Sequence, residues 1–181
     1  MTGKSKTQQF SHDDGASFFL RPAGEFDAKA LASVHFQSIN ATFCDLIPDY
    51  VNSRTLADFE NVWRERVLST SSITCALLKG EQIVGFVSAG PSLDEDADDR
   101  CGSVDRIYLH PSVWEKRLGA RLLHWCEDNL KERNFNRVQL WVFEPNERAI
   151  RFYKRHGYSP DGKTKSEFNS RLLRFEKILP A

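Results

Sequence analysis

Residues 138–143 (VQLWVF) are apolar on both faces apart from Gln139. A strand with one wet face alternates apolar and polar residues, whereas a strand covered on both faces does not. This hexapeptide therefore requires a sheet interior with further layers above and below it. The flanking sequence supplies them. Residues 17–23 (SFFLRPA) read as a first strand, stopped by Pro22 and Gly24. Asp27 can cap a following helix in which Ala28, Ala32, His35 and Ile39 share one face. Residues 43–48 break that helix, and 55–68 form a second, with Leu56, Phe59, Trp63 and Val67 aligned. Strands at 73–78 and 83–89, joined through Gly80-Glu81, predict a hairpin. A loop at 93–100 precedes a strand at 102–109. A helix at 118–133 carries Leu118, Leu122, Trp125, Cys126 and Leu130 on one side. After strand 138–143, Asn146 caps a short helix ending at Gly157, and 172–178 forms a last strand. The order βααβββαβαβ predicts a single α/β domain over residues 17–181, after a polar, flexible tail at 1–16.

Charge excludes several function classes. The 25 Lys/Arg balance 25 Asp/Glu, whereas a nucleic-acid binder would be basic with a concentrated patch. The balance is uneven along the chain, with 9 basic against 15 acidic residues up to position 100 and 16 against 10 beyond it. That asymmetry suits an anionic cofactor near one half and a cationic substrate near the other, and the acidic loop at 93–100 is a candidate to draw such a substrate. No apolar run approaches the roughly 18 residues of a membrane span, and the N-terminus lacks the apolar stretch of a signal peptide. Cys44, Cys75, Cys101 and Cys126 are widely spaced, with no C-x-x-C. Four reduced, mostly buried thiols in a cytoplasmic protein are expected, with no metal site. Residues 157–164 match G-x-x-x-x-G-K-S/T literally, but phosphate binding there needs a strand before and a helix after. The order here is the reverse, so the match is set aside.

A better anion site is the strand–turn–helix at 107–130. Pro111 stops the strand, and the turn into the helix directs free backbone N–H groups and a positive dipole end at one point. Lys116, Arg117 and Arg121 add charge, while Gly119 and Ala120 keep the helix start free of bulk.

Ile107-Tyr108-Leu109-His110-Pro111 followed by 114–120 fits the frame of an apolar strand end and a (R/Q)-x-x-G-x-(G/A) loop. Directly after VQLWVF, Asn146, Ala149, Tyr153, Gly157 and Tyr158 match N-x-x-A-x-x-x-Y-x-x-x-G-(F/Y). In these elements the chain resembles the GCN5-related N-acetyltransferase (GNAT) superfamily. The resemblance runs from about Phe18 to Leu179. It implies a mixed, mostly antiparallel twisted sheet flanked by helices, and use of acetyl-CoA as co-substrate. It further implies cofactor contacts at Ile107, Tyr108, Leu109, Glu115, Lys116, Arg117, Leu118, Gly119 and Ala120, with Asn146 on the pantetheine arm and Tyr153 as general acid. The chain departs from the pattern at Arg117 and Trp114, where Gly and Arg or Gln are commonest. It departs again at Ser103 and Trp141, which stand where members carry a catalytic Glu.

No base follows from the resemblance. Asp105, His110, Glu144, His35 or a water chain are the alternatives. Asp105 leads as second catalytic residue, because strict alternation places it on the face of Ser103, Ile107 and Leu109, whereas His35 reads as a hydrogen-bonded core histidine. The Leu109 N–H, where two strands part, can polarise an acetyl oxygen. The expected activity is direct acetyl transfer to a primary amine in a ternary complex, since no cysteine lies in a nucleophile motif. The amine belongs to a small molecule, an amino acid, an antibiotic or a peptide terminus. Protein or peptide N-terminal acetylation is an alternative, as is a non-catalytic CoA-binding module. No nucleic-acid or membrane partner is expected, and the chain is read as a monomer or homodimer.

Overall fold

The structure, a computed structural model, describes residues 7–12 and 15–180. Its centre is an eight-stranded sheet in the order β1-β2-β3-β4-β5-β6-β8-β7. The strands are β1 (Gln8–Ser11), β2 (Ser17–Pro22), β3 (Ile73–Lys79), β4 (Gln82–Pro91), β5 (Cys101–Leu109), β6 (Arg137–Phe143), β7 (Ser159–Glu167) and β8 (Ser170–Ile178). Among the described residues only β5 and β6 pair in parallel; every other pairing is antiparallel. The α/β class and the mostly antiparallel sheet are as expected from the sequence.

The helices are α1 (Ala28–Phe43), α2 (Pro48–Asn52), α3 (Leu56–Leu68), α4 (Leu118–Glu132) and α5 (Glu147–Arg155). Two cores result, one on each face of the sheet. On one face Leu118, Leu122, Trp125, Cys126 and Leu130 of α4 and Tyr153 of α5 meet Cys75, Leu77, Val87, Val138 and Leu140. On the other, Leu31, Ile39, Phe59 and Trp63 of α1 and α3 meet Ala76, Leu78 and Phe86. The central strands serve both faces at once: six of the seven residues of β3 are buried. Wholly buried Leu, Phe and Trp side chains contribute about 1.5–3 kcal/mol each by leaving water, so this double core dominates the fold's stability. The four cysteines are free, three buried and Cys44 exposed. No helix among the described residues is long and apolar enough to cross a membrane.

Several local expectations need correction. Part of the stretch read as a flexible tail is strand: Gln8–Ser11 pairs with β2, and the Arg121 guanidinium lies 5.1 Å from the centre of the Phe10 ring. Residues 1–6 and 13–14 of that stretch lie outside the described residues. Asp27 does not cap α1. It accepts from the Gly24 N–H at 2.8 Å and from Arg21 at 2.6 and 2.9 Å, holding a 3-10 turn that leads into the helix. Thr55 does cap α3, through a reciprocal pairing with Asp58. Segment 157–164 runs from the end of α5 into β7, so no helix follows it.

Candidate active site

The parallel pairing of β5 with β6 lasts three residues, from Cys101↔Arg137 to Ser103↔Gln139. Beyond it the strands part, and β5 stays hydrogen-bonded only to β4. The His110 N–H donates to the Val84 carbonyl of β4 at 2.8 Å. Backbone groups of successive strand residues point to opposite edges, so Leu109 presents its N–H and C=O to the gap. Its carbonyl accepts from the Trp114 indole at 2.7 Å and from the Ser38 hydroxyl at 3.0 Å. These two contacts fix the exposed strand end. The Arg148 guanidinium in turn stacks 4.4 Å from the centre of the Trp114 ring.

The gap opens into a cavity of about 1140 Å³. One arm reaches the N-terminus of α4. Glu115 and Arg117 take φ of 67° and 54°, so the turn that aims this helix uses the left-handed region. Arg117 stands there without a glycine's freedom, at a cost of about 1–2 kcal/mol. No side chain caps α4, which leaves the first N–H groups of the helix without intrahelical partners. A Cβ on Gly119 would lie 3.4 Å from the Phe152 ring, so the small residue lets α5 pack against the start of α4. Arg117, Arg148 and Arg155 line this arm, and the residues present suit an anionic, diphosphate-bearing group.

Ile107, Tyr108, Leu109, Glu115, Arg117, Leu118, Gly119, Ala120, Asn146, Asp105 and Tyr153 all line the cavity. Lys116 does not. Asn146 caps α5 by accepting the Ala149 N–H at 3.1 Å through Oδ1, which leaves its amide nitrogen available to a ligand. Tyr153 is 7% exposed, and its hydroxyl has no hydrogen-bond partner among the described residues. Burial pushes this phenol well above its ordinary pKa, so it stays protonated.

The other arm is a chamber between β5, α1 and α2, which carries Tyr50. Here strict alternation fails. The register passes from Ala89↔Val104 to Ser88↔Arg106, leaving Asp105 as an extra residue in a bulge. Val104, Ile107 and Leu109 therefore share the α4 face. Asp105 turns to the α3 face, where Arg66 donates to it and to Ser88. The placement of Asp105 with Ile107 and Leu109 is thus corrected, although the residue does reach the cavity. His110 and Glu144 do not line it. The His110 Nε2–H donates to Gln37 at 2.8 Å, and Glu144 pairs with Arg171 at 3.5 Å.

His35 lines the chamber, packed between Phe59, Phe86 and Tyr108 at ring-centre distances of 4.4, 5.4 and 4.6 Å. It is 3% exposed, yet neither ring nitrogen has a hydrogen-bond partner among the described residues, which corrects the reading of a hydrogen-bonded core histidine. Burial, aided by the nearby positive charges of Arg106 and Arg54, holds its pKa well below the ordinary value. It is neutral at pH 7.

The acidic loop does not feed the chamber. Asp94 and Asp96 accept from Arg174 at 3.1 and 2.6 Å, Asp94 also accepts from the Trp141 indole, and Asp98 pairs with Arg137 at 3.6 Å. Those carboxylates fasten the loop to β6 and β8, and no carboxylate of the loop lines the cavity. Sequence reasoning missed Trp114 as a clamp on Leu109, together with Ser38 and the chamber residues Tyr50, Arg54, Arg66 and Arg106. The serine at the helix position facing the strand end was the available signal for Ser38; nothing local marked the others.

A model described as the acetyltransferase (GNAT) family matches residues 39–158. The chain is 30% identical over 160 residues to the uncharacterized N-acetyltransferase YuaI of Bacillus subtilis, covering 88% of this chain and 89% of that one. It is 30% identical over 99 residues to the spermine/spermidine N(1)-acetyltransferase of the same organism, 53% of this chain and 64% of the relative. Among solved structures, the PaiA N-acetyltransferase of Thermoplasma acidophilum in complex with coenzyme A superposes with a TM-score of 0.75 at 17% identity. That superposition covers 89% of this chain and 98% of the other. Matched by that family model over residues 39–158 and by a relative along nearly its whole length, the chain belongs to the GNAT acetyltransferase family and is an N-acetyltransferase.

Proposed function

We propose that the protein transfers acetyl from acetyl-CoA to the primary amine of a small molecule, directly and within a ternary complex. The observation that carries this reading is one continuous cavity that joins the α4 N-terminus, the free edge of Leu109, Tyr153 and a separate chamber. An acyl donor in one arm and an amine in the other meet at the gap, and no cysteine among the described residues lines it to act as a relay.

Acetyl-CoA, when bound, supplies an acyl group activated as a thioester. The N–H groups of Leu118 and Gly119, with Arg117, Arg148 and Arg155, hold its diphosphate and phosphate charge. The Asn146 amide holds the pantetheine arm. The Leu109 N–H, kept in place by Trp114 and Ser38 on the adjoining carbonyl, donates to the acetyl oxygen as negative charge builds there. Tyr153 holds a proton at Oη for the departing sulfur. Asp105, oriented by Arg66, accepts the proton lost by the amine, directly or through one water.

The test is a thiol-release assay with a broad amine panel, paired with thermal shifts in acetyl-CoA and in dephospho-CoA. Turnover with at least one small amine and a rise in Tm with acetyl-CoA are expected. No rise at about millimolar acetyl-CoA would sink the cofactor assignment. Binding without transfer to any amine would make the protein a CoA-binding module.

A further inference from the structure

The chamber's charges do not cancel. Arg66 is closed by Asp105, and Lys165 by Glu167 at 2.8 Å. Arg54 and Arg106 also line the chamber, and neither makes an ion pair within 4.0 Å among the described residues. Arg106 is the telling one. It is partly buried on the face of β5 that carries Tyr108, away from Ile107 and Leu109, which face α4. The anionic cofactor arm has its own cations in Arg117, Arg148 and Arg155. Burying a guanidinium without a carboxylate is unfavourable, and burial does lower the Arg106 pKa. A cost of this kind is recovered when a ligand brings the missing negative charge. His35, wholly inside the same wall, leaves both ring nitrogens unpartnered and adds no negative charge of its own.

We infer that the amine substrate carries a carboxylate, as an amino acid does, and that Arg106 binds this carboxylate in the chamber while the amine faces the gap. The inference rests on the acetyl-transfer reading and narrows its substrate class. A planar guanidinium fork matches a carboxylate through two parallel N–H···O bonds, and Arg54 at the chamber mouth adds to the field that draws an anion in. A polyamine would instead place ammonium groups beside these unpaired cations.

The experiment compares kcat/KM for leucine and phenylalanine with the values for their amides, their methyl esters and spermidine, at fixed saturating acetyl-CoA. Amides and esters keep more of their amine neutral near about pH 8. A preference for the free acids therefore runs against intrinsic availability and has to come from the site. The free acids are expected to lead by roughly tenfold or more. In Arg106→Gln that lead falls to about threefold or less, mainly through KM, with the thermal shift in acetyl-CoA unchanged. Arg106→Lys, which keeps the charge and loses the fork, is expected to fall between the two and covers the case in which Arg106→Gln fails to fold. Equal or faster transfer to spermidine, the amides or the esters overturns the inference and leaves acetyl transfer standing. Absence of transfer to every amine, with acetyl-CoA bound, overturns both readings.

Discussion

Replacing Tyr153 with Phe separates chemistry from packing at the centre of the site. The ring is 7% exposed and sits edge-on to Phe152 and Tyr158, with centroids 5.2 and 5.7 Å apart. Phe preserves those contacts. The hydroxyl has no hydrogen-bond partner among the described residues, so its removal orphans no other group. Losing a hydroxyl that pairs with no protein group is close to neutral. A change within about 0.5 kcal/mol corresponds to a Tm shift of roughly 1–2 °C for a domain of this size. The rate effect is much larger if Tyr153 protonates the departing thiolate. General acid catalysis contributes about 10²–10⁴-fold, and since water can take over part of the role, a fall in kcat of roughly tenfold to a hundredfold is expected. That is about 1.4–2.7 kcal/mol in the barrier, against almost nothing in the fold. Because burial raises the phenol's pKa, it stays protonated up to and beyond its usual pKa of about 10, and it imposes no alkaline loss of kcat below that. Single-turnover thiol release on the wild type and the variant, with melting curves of both, makes the measurement. Full kcat in Tyr153→Phe, with the chemical step rate-limiting, would refute the assignment and leave the residue as packing only.

Four further outcomes follow from the same geometry. Gly119→Glu places bulk against Phe152 and a negative charge at the α4 N-terminus; the acetyl-CoA thermal shift is expected to vanish, and a shift of wild-type size would count against this arm as the diphosphate site. Asp105→Asn is expected to lower kcat/KM by roughly tenfold near neutral pH, with recovery as pH rises and the free amine predominates; an unchanged pH profile would remove Asp105 as proton acceptor. Lys177→Met leaves the buried Glu127 carboxylate without the ammonium that now lies 2.8 Å away, which should cost about 2–4 kcal/mol and lower Tm by roughly 4–16 °C. His35 is held neutral in the fold, while in the unfolded chain it takes a proton near about pH 6.5. The unfolded state then binds more protons, so this contribution is present above that pH and is lost as pH falls below it. Urea midpoints from about pH 7.5 down to 5 should fall more steeply in the wild type than in His35→Phe.

The parts of this molecule that its sequence announces are those under strong packing constraint. Buried central strands and amphipathic helices leave long apolar patterns, and 138–143, 73–78 and the α4 stripe of Leu118, Leu122 and Leu130 were legible for that reason. The two strands that were missed, β1 and β7, are the two edges of the sheet. An edge strand packs little and carries charge and polarity that discourage further pairing, so QQFS and SPDGKTKSE look like loop. The turn into α4 was legible through its spacing, because an uncapped helix start depends on backbone geometry close in sequence. The chamber was not, because its residues come from α1, α3, β5 and the segment around Tyr50, and only the fold brings them together. Its charge depends on one extra residue. With a strict period of two, Asp105 and Arg106 would point to opposite faces of β5, and one of them would leave the chamber. The bulge between Val104 and Arg106 lets both reach it. Asp105 then neutralises Arg66, and Arg106 is left in the chamber without an ion pair among the described residues.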